Sequence, residues 1–221
     1  LDDGNDGNNY TVTYADNTTS TITPAPIVVT GLAGVDRTYD GTTTVAVSGT
    51  GVTIAGEVDG ETGSLSLDLT DAVGTMADRH ANENKEIMVS GIVLGGDGAG
   101  NYELADYNVF GSAEGVAPTV TITPADLEVS IEDFTKVYDT TTDVEDAVAI
   151  VTDGQLFGPD EFGGVEASFD NKNAGTGKTI TVSSVAIGES YSFTDENGDP
   201  ATGFTAFGGN YNIKYVNNTS S

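Results

Sequence analysis

The chain has 221 residues, of which 35 are acidic and 7 basic, giving a formal net charge of −28, and it has no cysteine. Such a charge repels nucleic acid and anionic membrane, both of which present phosphate, and attracts cations. Disulfide frameworks and thiol chemistry are excluded, no run of about 18 apolar residues is present to cross a membrane, and one histidine, His80, supports neither a catalytic triad nor a histidine metal site. The 29 glycines, the absence of tryptophan and the many threonines predict short strands joined by many turns.

In chain order, the run from Asp2 to Gly7 is acidic and glycine-rich, a weak version of a cation loop. Tyr10, Val12 and Tyr14 alternate with Thr11 and Thr13, a period-two strand with one apolar face. Pro24 and Pro26 fix φ and bias the residues before them to extended backbone. Ile22-Thr23-Pro24-Ala25-Pro26 is therefore a short, stiff connector into Ile27-Val28-Val29. Tyr39-Asp40-Gly41 predicts a corner: Asp40 caps backbone N–H groups, Gly41 takes φ > 0, and Tyr39 packs its ring under the turn with its hydroxyl in water. Further strands are expected at 43–48, 65–69, 85–89, 92–94, 102–109 and 119–122. Pro124 marks a second connector, and strands follow at 127–131, 144–151, 165–169, 178–182, 185–187, 191–193 and 211–216. The stretch 143–151 has some helical character and is read as strand or short helix.

The chain repeats itself. Arg37-Thr38-Tyr39-Asp40-Gly41-Thr42-Thr43 returns 99 residues later as Lys136-Val137-Tyr138-Asp139-Thr140-Thr141-Thr142. Ile22-Thr23-Pro24-Ala25 returns as Ile122-Thr123-Pro124-Ala125, Lys85-Glu86-Ile87-Met88-Val89 as Lys178-Thr179-Ile180-Thr181-Val182, and Gly100-Asn101-Tyr102 as Gly209-Asn210-Tyr211. The widening shift places extra residues in the second copy between its Lys strand and its Asn-Tyr strand. Residues 10–20 also match 211–221. The expected organisation is the last strand of a preceding repeat plus connector at 1–25, a first repeat at 26–125 and a second at 126–221, a piece of a longer array with a modest core in each unit.

The Tyr-Asp-Gly-Thr-Thr run, the Lys strand, the Gly-Asn-Tyr strand and the closing Ile-Thr-Pro-Ala resemble the YDG repeat of large secreted bacterial surface adhesins of the filamentous-haemagglutinin type. Arg37 and Lys136 match that family's basic residue before the tyrosine, and Phe169 to Lys178 matches its Phe-x-Asn-Lys-Asn-Ala-Gly-Thr-Gly-Lys segment. Unit one departs from that segment at Ala81, Glu83 and Asn84, and unit two has Thr140 in the glycine place of Tyr-Asp-Gly. The resemblance implies a cell-surface, extracellular repeat region and supplies no catalytic residues.

Other signals weigh less. Asp195, Asn197 and Asp199 have the alternate spacing of a calcium loop, but Pro200 and Ala206 stand where an EF-hand needs Gly and Glu. These three residues are the candidate calcium ligands. Gly175-Thr176-Gly177-Lys178-Thr179 lacks the first glycine and the helix of a phosphate loop. Paired carboxylates abound, but no tryptophan is present to stack a sugar and no acidic pair stands out, so no enzyme is expected. Tyr39, Asp40, Tyr138, Asp139, Pro24 and Pro124 are the structural markers of the frame.

The fold expected is all-β: two tandem antiparallel sandwiches, Ig-like and arranged end to end, with a β-grasp-like unit as the alternative. The function expected is a stalk or extender segment that projects an adhesive region, of use in surface attachment and biofilm. The alternatives are a glycan- or matrix-binding module and a calcium-dependent surface lattice. The partners expected are neighbouring repeats of the same chain and a host or matrix glycan or protein, with no nucleic acid and no membrane insertion, in a monomer. A stalk should bury Tyr10, Tyr14, Tyr39, Tyr102, Tyr107, Phe169, Tyr211 and Tyr215; a glycan binder should display several of them.

Overall fold

The structure, a computed structural model, describes every residue except 1–3, 5–8, 12, 105–116, 195–198 and 220–221. Strands run at β1 (Ala25–Thr30), β2 (Ala33–Gly34), β3 (Arg37–Thr38), β4 (Thr44–Ser48), β5 (Thr53–Ala55), β6 (Leu65–Asp68), β7 (Val73–Met76), β8 (Asn82–Ser90), β9 (Val93–Gly96), β10 (Tyr102–Leu104) and β11 (Thr119–Thr123). They continue at β12 (Ala125–Ile131), β13 (Ala149–Asp153), β14 (Glu161–Phe169), β15 (Thr179–Thr194), β16 (Pro200–Ala206), β17 (Tyr211–Tyr215) and β18 (Asn218–Thr219). Among the described residues there is no α-helix, and 143–151 resolves into turns and the start of β13. The fold is all-β.

The two units share one plan. In unit one β1 lies between β10 and β5; in unit two β12 lies between β17 and β13. The second sheet of unit one contains β7-β8-β11, and its counterpart is β14-β15 with β18 on the edge. Most pairs are antiparallel as expected, but each unit sets its first strand parallel to its Asn-Tyr strand: Ala25↔Tyr102 and Ala125↔Tyr211. β11 and β3 are parallel too, with Ile122 opposite Arg37. The extra residues of the second copy form a long hairpin, β15 with β16, in which Thr194 pairs with Pro200.

The cores follow from alternation. Ile27 and Val29 on β1, and Leu127, Val129 and Ile131 on β12, point inward and are buried. A fully buried side chain of this size stabilises by about 1.5–3 kcal/mol. The expectation of one core per unit needs correction. Tyr39, Val45, Met76, Ile87, Val89, Val120 and Ile122 of unit one join the buried residues of unit two in one continuous cluster. A smaller cluster of Ile27, Leu65 and Tyr102 fills the far side of unit one. The connector is one residue, Pro124, between β11 and β12. With so short a link, the apolar ends of both units close on each other.

The described residues of the expected strand, 10, 11, 13 and 14, are not in a strand: Tyr10 and Tyr14 are exposed, and the described backbone from 9 to 24 is irregular. A strand exists only through a partner that takes its N–H and C=O groups. The counterpart Tyr211–Tyr215 has such a partner in β12. Tyr39, Tyr102 and Tyr211 are buried, Phe169 half-buried and Tyr215 exposed, while Tyr107 lies outside the described residues.

Candidate functional site: the joint between the two units

Each Tyr-Asp corner is held as its residue types dictate. The carboxylate Oδ1 of Asp40 accepts from Thr42 N at 2.9 Å and Thr42 Oγ1 at 2.7 Å. Asp139 does the same for Thr141, at 2.9 Å from both atoms. Those two hydrogen bonds and Lys136 hold the Asp139 carboxyl down at about 2. Burial would raise the Asp40 carboxyl, but the Thr42 and Arg37 hydrogen bonds outweigh it and hold it below the usual range. Arg37 Nη2 donates to the carbonyl of Thr44 at 3.3 Å and Lys136 Nζ to that of Asp143 at 2.9 Å, so the basic residue two places before the tyrosine clasps the turn. Gly41 takes φ +77, and Thr140 in its place takes φ +72, a region a β-branched residue occupies at a cost.

The tyrosine departs from expectation. Tyr39 is 1% exposed, and its hydroxyl is not in water. It donates to Asp160 Oδ2 across the joint at 2.8 Å. Tyr211 Oη donates to the same carboxylate oxygen at 2.8 Å. Arg79 Nη2 pairs with Asp160 Oδ1 at 2.5 Å, and Arg79 Nε donates to Tyr39 Oη at 3.0 Å. Glu189, on β15 where the long hairpin begins, takes a further charge contact from Arg79. The Asp160 side chain is fully buried, so every proton aimed at it comes from protein. Aromatic rings wall the network: Tyr39 meets Phe157 and Tyr211 edge-on at 6.0 and 5.4 Å. Beside it Ala81 N donates to Asn210 Oδ1 at 3.0 Å, and Asn210 Nδ2 lies 3.1 Å from His80 Nδ1. His80, the one histidine of the sequence, is thus part of the joint. Gly41 fits closely, since a Cβ there would lie 2.9 Å from Cβ of Phe157.

Burial and then the hydrogen bond to Asp160 push both the Tyr39 and Tyr211 phenols well above the ordinary 10.0. Burial lowers the Arg79 guanidinium, but Asp160, Tyr39 and Glu189 more than restore it. A phenol raised on folding stabilises fully below its unfolded value, and that stability drains away as pH climbs above 10.0. The chain is therefore expected to unfold in alkali, with these two of its nine tyrosines ionising only in that transition. Tyrosinate absorbance followed beside circular dichroism checks this; smooth ionisation of all nine ahead of unfolding would refute it.

Of the residues predicted from sequence, Tyr39 and Pro124 meet at this joint. Tyr138, Asp139 and Pro24 lie elsewhere. Asp195 and Asn197 lie outside the described residues, and Asp199 stands just before β16. Among the described residues no group of three or more His, Asp or Glu side chains is placed to hold a metal. Lys85 pairs with Asp78 and Lys178 contacts Asn171, each closing a polar loop. Arg79, Asp160, Asn210 and Tyr211 were missed as a set. Their signal was faint: Val58-Asp59-Gly60-Glu61 recurs 99 residues later as Phe157-Gly158-Pro159-Asp160, acid on acid, and the same turn closes both, Glu61 N to Val58 O and Asp160 N to Phe157 O.

No curated protein and no solved structure matches the chain. The YDG domain matches twice, over residues 23–109 and 123–219. These two matches span most of the sequence and coincide with the two strand plans on either side of Pro124, so the chain belongs to the YDG domain family, as two tandem copies.

Proposed function

We propose that this chain is a structural stalk segment of a bacterial cell-surface adhesin of the filamentous-haemagglutinin type, exposed outside the cell, that holds an adhesive region away from it. The observation that carries this reading is the joint: a buried carboxylate, two tyrosines and an arginine lock successive units across a one-residue connector. A joint of that kind transmits position from one unit to the next, which a spacer requires and a single-site catalyst does not. The net charge of −28 keeps neighbouring stalks apart in the same picture.

Small-angle scattering tests it. Two units of about 100 residues, each with a radius of gyration of about 13 Å, set end to end should give a particle clearly longer than one globule. The profile should be the same with calcium or a chelator. A globular profile would sink the stalk reading. A large rise in melting temperature on adding calcium would favour the surface-lattice alternative, in which Asp195, Asn197 and Asp199 bind the ion. Saturable glycan binding would favour the adhesive-module alternative. The exposed rings of Tyr191 and Phe193, 5.8 Å apart on β15, are where that alternative would look first.

A further inference from the structure

The far end of unit two carries the same half of the joint that unit one uses, and no described residue fills it. Tyr138, Lys172, Asn173 and Ala174 occupy the places of Tyr39, Arg79, His80 and Ala81. Tyr138 is 56% exposed where Tyr39 is 1%. Lys172 is exposed and has no ion pair among the described residues, whereas Arg79 has two. Lys136 and Val137, the places of β3, form no strand, and Val137 is 88% exposed. In unit one β3 exists because Ile122 and Thr123 pair with it. A groove of about 310 Å³ lies here, lined by Phe134, Lys136, Tyr138, Phe169, Lys172 and Lys178. It gathers three of the seven cations of a strongly acidic chain.

The opposite half is displayed at the other end of the molecule. Tyr102 Oη accepts from Val58 N at 3.1 Å and donates to Glu61 Oε2 at 2.6 Å, the arrangement that Tyr211 makes with Phe157 and Asp160. Glu57, Asp59 and Glu61 make that end acidic. Ile22-Thr23, with the sequence of Ile122-Thr123, lies beside it in irregular backbone, and Ile22 is 97% exposed where Ile122 is buried.

We propose that the groove around Tyr138 receives the Tyr102–Glu61 end of a second copy of this chain, head to tail. Ile22-Thr23 of the incoming copy adds as a parallel strand along Lys136-Val137, as Ile122-Thr123 does along Arg37-Thr38. Three features support this occupant: identical strand sequence, opposite charge, and the same joint already formed inside the chain. The faces differ, so the contact is heterologous and propagates as an open row rather than closing a dimer. One mismatch is compensated. Thr140 puts a side chain where Gly41 admits none, which holds the new joint wider at that corner. Glu61, one methylene longer than Asp160, spans the wider gap to the Tyr138 hydroxyl. The inference rests on the joint and stands whether or not the chain is a stalk.

The chain has no cysteine, so directed cross-linking is clean. Gly41 and Gly158 lie side by side at the internal joint, and Thr140 and Asp59 are their counterparts. Chains carrying Thr140→Cys and chains carrying Asp59→Cys would be mixed at high concentration and oxidised at physiological ionic strength. The mixed disulfide should exceed chance pairing by about tenfold, and a chain carrying both substitutions should give a ladder. Ile22→Asp alters a residue exposed in the single chain, so it leaves folding intact. It should cut the mixed product at least about tenfold, the loss of one buried isoleucine. Chance pairing in the first mixture, with each variant's melting unchanged, overturns the docking. A mixed product indifferent to Ile22→Asp overturns the strand addition.

Discussion

Replacing Asp160 with Ala is expected to cost about 3–5 kcal/mol, the loss seen when one member of a buried charge pair is removed. The reason is the company it keeps. Two phenol protons and a guanidinium converge on a carboxylate with no access to solvent. Without it, Arg79 keeps Glu189 at the joint edge as its one carboxylate among the described residues, and both hydroxyls lose their acceptor. In a domain pair of this size, each kcal/mol moves the melting temperature by about 2–4 °C, so a fall of about 10 °C should be seen. Asp160→Asn should recover little, because in either orientation its NH2 faces donors, the guanidinium or the two phenols. The same substitution should loosen the coupling between units, so that a single unfolding transition broadens or splits. A loss below about 1 kcal/mol, with one sharp transition, would mean that the carboxylate is hydrated and the joint is held by apolar packing alone.

The second expectation is an asymmetry between two residues that the sequence presents as equals. Tyr39→Ala should cost about 3–5 kcal/mol, the range for emptying a buried aromatic site. Tyr138→Ala should lie within about 0.5 kcal/mol of the parent. Tyr39 is wedged between Phe157 and Tyr211 with its hydroxyl bound at both lone pair and proton; Tyr138 stands at the rim of an open groove. Tyr39→Phe separates ring from hydroxyl, and should cost about 1–3 kcal/mol for the partners left unmatched. Urea denaturation of the four proteins measures all of these. Equal losses at 39 and 138 would place the stabilising role in the corner itself and not in the joint.

What the sequence disclosed and what it withheld divide along a physical line. Local rules sufficed for the Asp40 and Asp139 caps, for positive φ at Gly41, and for strands such as 65–69 and 85–89, because each depends on neighbours in the chain. The β7 strand was hidden by Gly74, and the β16 strand by its Pro, Gly and two Ala, which are weak strand formers. Both are held by the strands they pair with. The stretch from Tyr10 to Tyr14 erred the other way: the alternation is in the sequence, but among the described residues no strand pairs with it. The joint was least legible. Tyr39 and Asp160 are 121 residues apart, and nothing local marks an aspartate after Gly158-Pro159 as the one that will be buried. Only the superposition of the two copies, with Glu61 under Asp160, points to it. Nothing local marks His80 either, because its partner, Asn210, is 130 residues away.

The parallel ladder in each unit has a mechanical consequence. Tension along the chain enters β12 at its Pro124 end and, once the two-residue β18 has let go of β15, reaches β17, the parallel neighbour of β12, at the opposite end. The five residue pairs from Ala125↔Tyr211 to Val129↔Tyr215 are then loaded in shear, all together, with the hydrogen bonds across the pull. Antiparallel neighbours pulled from one end would instead peel, one bond at a time. The direction in which a unit's first strand and its Asn-Tyr strand run thus sets whether that pair yields like a zip or holds like a lap joint, and here it is the lap joint.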